Sequence, residues 1–212
     1  MPSKSKTHRR DFLKNSVKGT FAASIGVSAL GSFLESCSSS KNMITSPLKT
    51  GFDQKPLPYK YDALENVIDT MTMEIHYSKH AAAYSKNVKE AAQAEGVDMN
   101  KPLEEVLAKI SKYSVKMRNN GGGHYNHEMF WQCMRPKTTD NTPMGNLQLA
   151  IVKTFGTVDE FKKQFADAGQ NRFGSGWAWL VVDASKNLKL GSTPTHDNPL
   201  RNVGDLKGFP IV

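Results

Sequence analysis

The sequence predicts an α+β fold: an N-terminal antiparallel helical hairpin, then a C-terminal mixed domain with a small antiparallel sheet that is cut short in its third strand. Three observations carry this reading. Asp62 to Ala94 contains neither proline nor glycine and is rich in alanine, and further helical stretches follow it. Arg135 to Pro143, with two prolines and several Thr and Asn, interrupts the helical pattern. Beyond it, Trp177 to Thr193 holds two apolar runs rich in β-formers on either side of Asp183 to Asn187, which reads as a hairpin.

The chain has 212 residues, 38% of them hydrophobic and 23% charged, enough to bury a genuine core. Its formal charge of +8 is concentrated at the start: Lys4, Lys6, Arg9, Arg10, Lys14 and Lys18 stand against Asp11 and Glu35, so residues 1–36 carry half of it. No basic cluster with interleaved aromatics occurs in the remainder, which argues against nucleic-acid binding. A modest positive field suits a small anionic substrate.

Residues 1–36 read as an export signal. HRRDFLK (His8 to Lys14) sets a twin arginine before Phe-Leu-Lys, and a mildly apolar stretch from Gly19 to Leu34 follows, too short and too rich in Gly and Ser for a membrane span. The segment resembles twin-arginine signals, which implies export to the bacterial periplasm. Cys37 follows Leu34-Glu35-Ser36 as in a lipoprotein processing box, so a lipid anchor at Cys37 is expected. Cys133 is then left without a partner and is expected as a small buried apolar side chain.

Residues 37–58, rich in Ser, Lys, Thr and Pro, are expected to be a tether, with structure beginning near Tyr59. The hairpin domain is assigned to 59–138 and the α+β domain to 139–212. Asp62 to Ala94 is expected as a long helix in one or two pieces, broken by Glu95 to Asn100. Leu103, Val106, Leu107 and Ile110 stand at i, i+3, i+4 and i+7, an amphipathic helix with Pro102 in its first turn. Helix is expected to resume after Gly121 to Gly123, over His124 to Met134. Leu147, Ala150, Ile151, Thr154 and Phe155 mark another amphipathic helix, and Thr157-Val158-Asp159-Glu160 fits a capping box ahead of the next. Phe209 to Val212 enters a third strand.

The chemistry-bearing signal lies in the histidines. His76, His80 and Tyr84 are four residues apart and share one helix face, while His124 and His127 are three apart with Trp131 behind them. Each histidine taken singly is more often structural. Two such faces packed together could bring His76 and His127 to one ion, but two imidazoles under-coordinate a transition metal and need further ligands.

Four stretches resemble the iron/manganese superoxide dismutase family in order and separation: YKYDALEN with TMEIHYSKHAAAY, NNGGGHYNHEMFW, FGSGWAWLVV and STPTHDNPL, together spanning about Tyr59 to Val212. The resemblance implies a helical hairpin plus an α+β domain, superoxide as substrate, a homodimer, and one iron or manganese ion held by three histidines, an aspartate and a solvent molecule. It implies His76 and His127 as metal ligands, with His124 as a neighbour of the site. Tyr84 corresponds to the tyrosine at the mouth of the substrate funnel and His80 to the histidine beside it in a hydrogen-bond relay. Trp131, Trp177 and Trp179 match an aromatic wall. The resemblance implies that a glutamine or histidine at one of two positions hydrogen-bonds the metal-bound solvent; here Gly123 occupies one and His196 the other, so that role falls to His196 and the choice of metal is left open.

Family members continue with an Asp-x-Trp-Glu-His-Ala-type stretch carrying the remaining two ligands, and this sequence stops before it, with Asp197 and Asp205 as poor substitutes. A fragment of a complete dismutase is therefore expected. The alternative is a truncated, catalytically inactive, membrane-tethered protein binding metal through His76, His80, His124 and His127.

Overall fold

Two carboxylates decide where the first helix begins. Thr70 N donates to Glu65 Oε2 at 2.7 Å and Thr72 N donates to Asp69 Oδ1 at 2.8 Å, so side chains take amides that a continuous helix would have used. The computed structural model describes residues 49–139 and 141–212, and over Asp62 to Ala94 it is accordingly divided. A 3-10 turn, Tyr61–Leu64, stands apart from α1 (Thr70–Ile75), a π-helical turn (His76–Ala81) and α2 (Ala82–Ala94), which run on without a break.

The export signal and Cys37 lie outside the described residues. The described part of the expected tether, 49–58, is not a free segment. Phe52 is buried in the main core, Ser85 Oγ donates to Phe52 O at 2.9 Å, and Gln54 N donates to Ser85 Oγ at 3.0 Å. Within the described residues, packing is thus already in place at Thr50 and Phe52, because one aromatic side chain and a run of backbone polar groups find partners on Ser85, Glu104 and Glu128.

The expected helix at Leu103 is shorter than its pattern. α3 spans Leu103–Leu107 and a 3-10 turn covers Ile110–Lys112, yet Leu103, Val106, Leu107 and Ile110 are all buried, as their spacing predicts. The Gly run is not a break. α4, Val115–Cys133, is capped by Ser114, whose Oγ accepts from Met117 N at 3.0 Å, and passes straight through Gly121 to Gly123. Three successive glycines cost helix propensity, and close approach of neighbours explains them. A Cβ at Gly122 would strike the Arg201 guanidinium and the His196 carbonyl, and one at Gly123 would lie 2.5 Å from Tyr84 Cδ1.

α5 (Gly145–Phe155) and α6 (Val158–Gln170) follow, with Thr157 Oγ1 accepting from Glu160 N at 3.0 Å at the start of α6. β1 (Gly176–Val182) pairs antiparallel with β2 (Leu188–Pro194) in the expected hairpin. Asp183 closes the turn, its Oδ1 accepting from Ser185 N and Asn187 N at 2.9 Å each. β3 (Phe209–Pro210) pairs antiparallel with the other edge of β1, giving the order β2-β1-β3.

β1 is apolar throughout because both its faces are covered. Trp179 and Val181 join the core that contains Val88, Leu107 and Met117 of the helical part. Leu180 and Val182 point the other way, against Ile151, Phe155, Phe161 and Phe165 of α5 and α6. The sheet therefore presents Trp177, in the same alternation as Trp179, to the face of α4 that carries His127.

Candidate metal centre

His127 sits where α4 is most enclosed, and one hydrogen bond fixes its ring. Nδ1 lies 2.6 Å from Gly123 O, an atom that can only accept, so Nδ1 carries the proton and Nε2 presents a lone pair. That lone pair faces Nε2 of His76 at 3.1 Å. Burial holds both imidazoles neutral: it lowers His76 from its ordinary value and pushes His127 down to about 4. Two facing imidazole nitrogens need either a shared proton or a shared cation. With a metal–imidazole bond of about 2.1 Å, donors 3.1 Å apart occupy neighbouring corners of one ion. The pair offers two neighbouring corners to a transition metal, whose remaining ligands must come from other groups.

His80, one turn beyond His76, brings a ring nitrogen into the same space: ligand atoms of His76, His80 and His127 all lie within 4.8 Å of one another. The π-helical turn from His76 to Ala81 places them so, since extra residues in a helical turn rotate side chains that a regular α-helix would stack. His127 is buried, His76 half-buried and His80 exposed, so the cluster opens to solvent on the His80 side.

Tyr84 stacks on His127 with ring centroids 5.3 Å apart and planes inclined by 23°. Its hydroxyl meets His196 Nε2 at 2.7 Å, which joins α2 to the loop after β2. Burial raises the Tyr84 phenol and lowers His196, so at neutral pH the phenol holds its proton and donates it to an uncharged ring. His80 packs edge-on against Tyr84 at 5.1 Å.

Trp131 and Trp177 close the walls, at 5.1 Å from His76 and 5.2 Å from His127. Trp179 does not reach the histidines. It lies 6.1 Å beyond Trp177, with Nε1 donating to Thr193 Oγ1 at 2.7 Å. Phe130, which the sequence did not single out, completes the wall between His76 at 6.0 Å and Trp177 at 5.7 Å. Its position three residues after His127 was the available signal.

His124 points away from the cluster, with Nε2 3.1 Å from Gly51 O and burial holding it at about 4. Glu128 also turns outward to the N-terminal segment. Its carboxylate accepts from Lys55 N at 3.3 Å, and burial pushes it up to about 7. Asp197 is not near the ligand pair: its carboxylate is occupied by Arg118 and Arg201. Cys133, expected as a buried apolar side chain, is exposed, because it ends α4 where the helix face has left the core.

The alpha-hairpin domain of iron/manganese superoxide dismutases matches residues 51–135, and the C-terminal domain of the same family matches residues 143–212. The chain belongs to the iron/manganese superoxide dismutase family. It is 42% identical over 161 residues to a protein of Acinetobacter baylyi named superoxide dismutase (Mn), covering 76% of this chain and 71% of that one. A manganese-named dismutase of Leptolyngbya boryana is 45% identical over 161 residues, 74% of this chain and 64% of its own length. One from Escherichia coli K12 is 43% identical over 162 residues, 74% and 77% of the two chains. The α+β architecture, with a helical hairpin preceding a three-stranded antiparallel sheet, agrees with membership of the superoxide dismutase family.

Proposed function

We propose that the chain is a superoxide dismutase in which His76 and His127 hold an iron or manganese ion. The observation that carries this is the 3.1 Å approach of their Nε2 atoms, with the His127 tautomer fixed by Gly123 O. Two superoxide ions and two protons give one dioxygen and one hydrogen peroxide. Bound at this site, the ion supplies one-electron chemistry between its +3 and +2 states.

The residues around it do four things. Gly123 O orients His127 and keeps its donor nitrogen free. Trp131, Trp177 and Phe130 form an apolar wall that limits access to a small species. His80, on the open side, stands at the entrance. Tyr84 keeps its proton and donates a hydrogen bond to His196 Nε2, which fixes a protonated hydroxyl beside the ligand pair as the nearest side-chain proton donor.

The reading extends to location and assembly. The twin-arginine stretch from His8 to Lys14 supports export to the periplasm, and Cys37 supports anchoring of the mature protein by lipid. A homodimer is the proposed functional unit.

The purified protein, loaded with manganese or iron, should remove superoxide catalytically and yield half an equivalent of peroxide. Failure with both metals overturns the activity. For location, replacing Arg9 and Arg10 by lysine should leave the protein in the cytoplasm, and Cys37→Ser should release it from membranes. Unchanged fractionation of both variants contradicts export and anchoring.

A further inference from the structure

His196 reaches Tyr84 from the loop between β2 and β3, which has no helix or strand to stiffen it. Contacts to α4 and to the end of β2 hold that loop, among them Asn126 Nδ2 on the His196 carbonyl at 3.3 Å, and most of them converge on the residue next to His196. Asp197 is buried. Arg118 grips its carboxylate with both arms of the fork, Nε on Oδ1 at 3.1 Å and Nη2 on Oδ2 at 2.7 Å. Arg201, fully buried, donates through Nη1 to the same carboxylate and through Nη2 to the Arg118 carbonyl. The Asp197 carbonyl accepts from Thr193 Oγ1 at 2.6 Å, and its amide donates to Pro194 O at 3.0 Å.

Helix α4 supplies both halves of the fixture on one face. Arg118 and Gly122 stand at i and i+4, so the clamp lies directly beside the notch into which the His196 carbonyl and the Arg201 guanidinium fit. The residue on the other side, Thr195, adopts φ +51, a conformation costly for a β-branched side chain and kept only where its surroundings impose it.

We propose that Arg118 is a positioning residue for His196, acting through Asp197 and resting on the dismutase reading of the site. A forked guanidinium suits this role because two parallel bonds fix the rotation of the carboxylate as well as its place. The ion pair itself is half exposed on the arginine side and contributes little to stability, so its consequence lies in geometry. Without the fork, Asp197 keeps Arg201 but can turn, and the His196 ring next to it leaves the line of the Tyr84 hydroxyl. A misplacement of about 1 Å in such a proton path costs on the order of tenfold or more in rate.

The test compares the metal-loaded wild type with Arg118→Leu and Arg118→Lys, neither of which touches His76 or His127. Metal content, melting temperature, kcat, KM for superoxide and the midpoint potential of the bound metal are measured in each. The expected pattern for Arg118→Leu is full metal content, a near-unchanged melting temperature and unchanged KM. Its kcat falls about tenfold and its potential shifts, because the Tyr84–His196 hydrogen bond beside the ligand pair has moved. Arg118→Lys should recover most of the kcat. Gly122→Ala, which pushes the same loop from the notch side, should lower kcat and shift the potential in the same way but with a lower melting temperature. The proposal is overturned if Arg118→Leu keeps both kcat and potential, or loses only melting temperature. Should the wild type itself remove no superoxide, the dismutase reading falls, and the comparison of potentials still decides on Arg118.

Discussion

The ring of Tyr84 occupies the space that a side chain at Gly123 would need, since a Cβ there would lie 2.5 Å from Tyr84 Cδ1 and 2.7 Å from Cε1. The absence of a side chain at position 123 is thus what allows Tyr84 to stack on His127 and reach His196.

Gly123→Ala and Gly121→Ala should therefore differ in sign. At 121 the new methyl meets Leu103, Leu107 and Val88 at 3.7 Å, ordinary contact, so the gain in helix propensity of up to about 1 kcal/mol is kept. At 123 displacement of the Tyr84 ring should cost about 1–3 kcal/mol and lower dismutation. Thermal melts of the two variants check this; equal effects would contradict the packing described.

Thr193→Val leaves the buried Trp179 Nε1 and the Asp197 carbonyl without the hydroxyl they share. A loss of about 1–3 kcal/mol in denaturant unfolding is expected, from the desolvated groups left unpaired. A change below the scatter of surface variants would show that water replaces the hydroxyl.

Stability of the metal-free protein should fall in acid. His124 and His127, held at about 4, bind protons in the unfolded chain from their ordinary value of 6.5 downward but in the folded one only near 4. Their contribution is complete above pH 6.5 and is lost as pH falls toward 4. Glu128, raised to about 7 from 4.5, acts with the opposite sign, its folded form keeping a proton that the unfolded chain gives up. Two histidines against one carboxyl leave a net slope on the order of 1 kcal/mol per pH unit between about pH 4.5 and 6.5, rising with pH. Urea unfolding at pH 5 and pH 6.5 measures it, and a flat or inverted profile contradicts the burial of these rings.

Much of the fold was legible because periodicity is local. The β1–β2 hairpin, the Thr157 cap and the buried face of Leu103, Val106, Leu107 and Ile110 lie where spacing puts them. The helix through Gly121 to Gly123 was not legible: propensity argues for a break, and only the long-range approach of Tyr84, His196 and Arg201 gives each glycine its reason. The same holds for residues 49–58, whose partners Ser85, Glu104 and Glu128 lie tens of residues away. At the site, the convergence of His76 and His127 followed from motif and resemblance. Phe130 had a local signal in its spacing from His127, whereas the Arg118 to Asp197 fork needed the tertiary structure, because nothing in local spacing joins residues 118 and 197.

The most direct measurement is elemental analysis of the purified full chain beside His76→Ala and His127→Ala, with folding monitored by circular dichroism. The account predicts iron or manganese in the parent and its loss from both variants while each stays folded. Retention of the metal by both folded variants would show that the facing Nε2 atoms do not hold it.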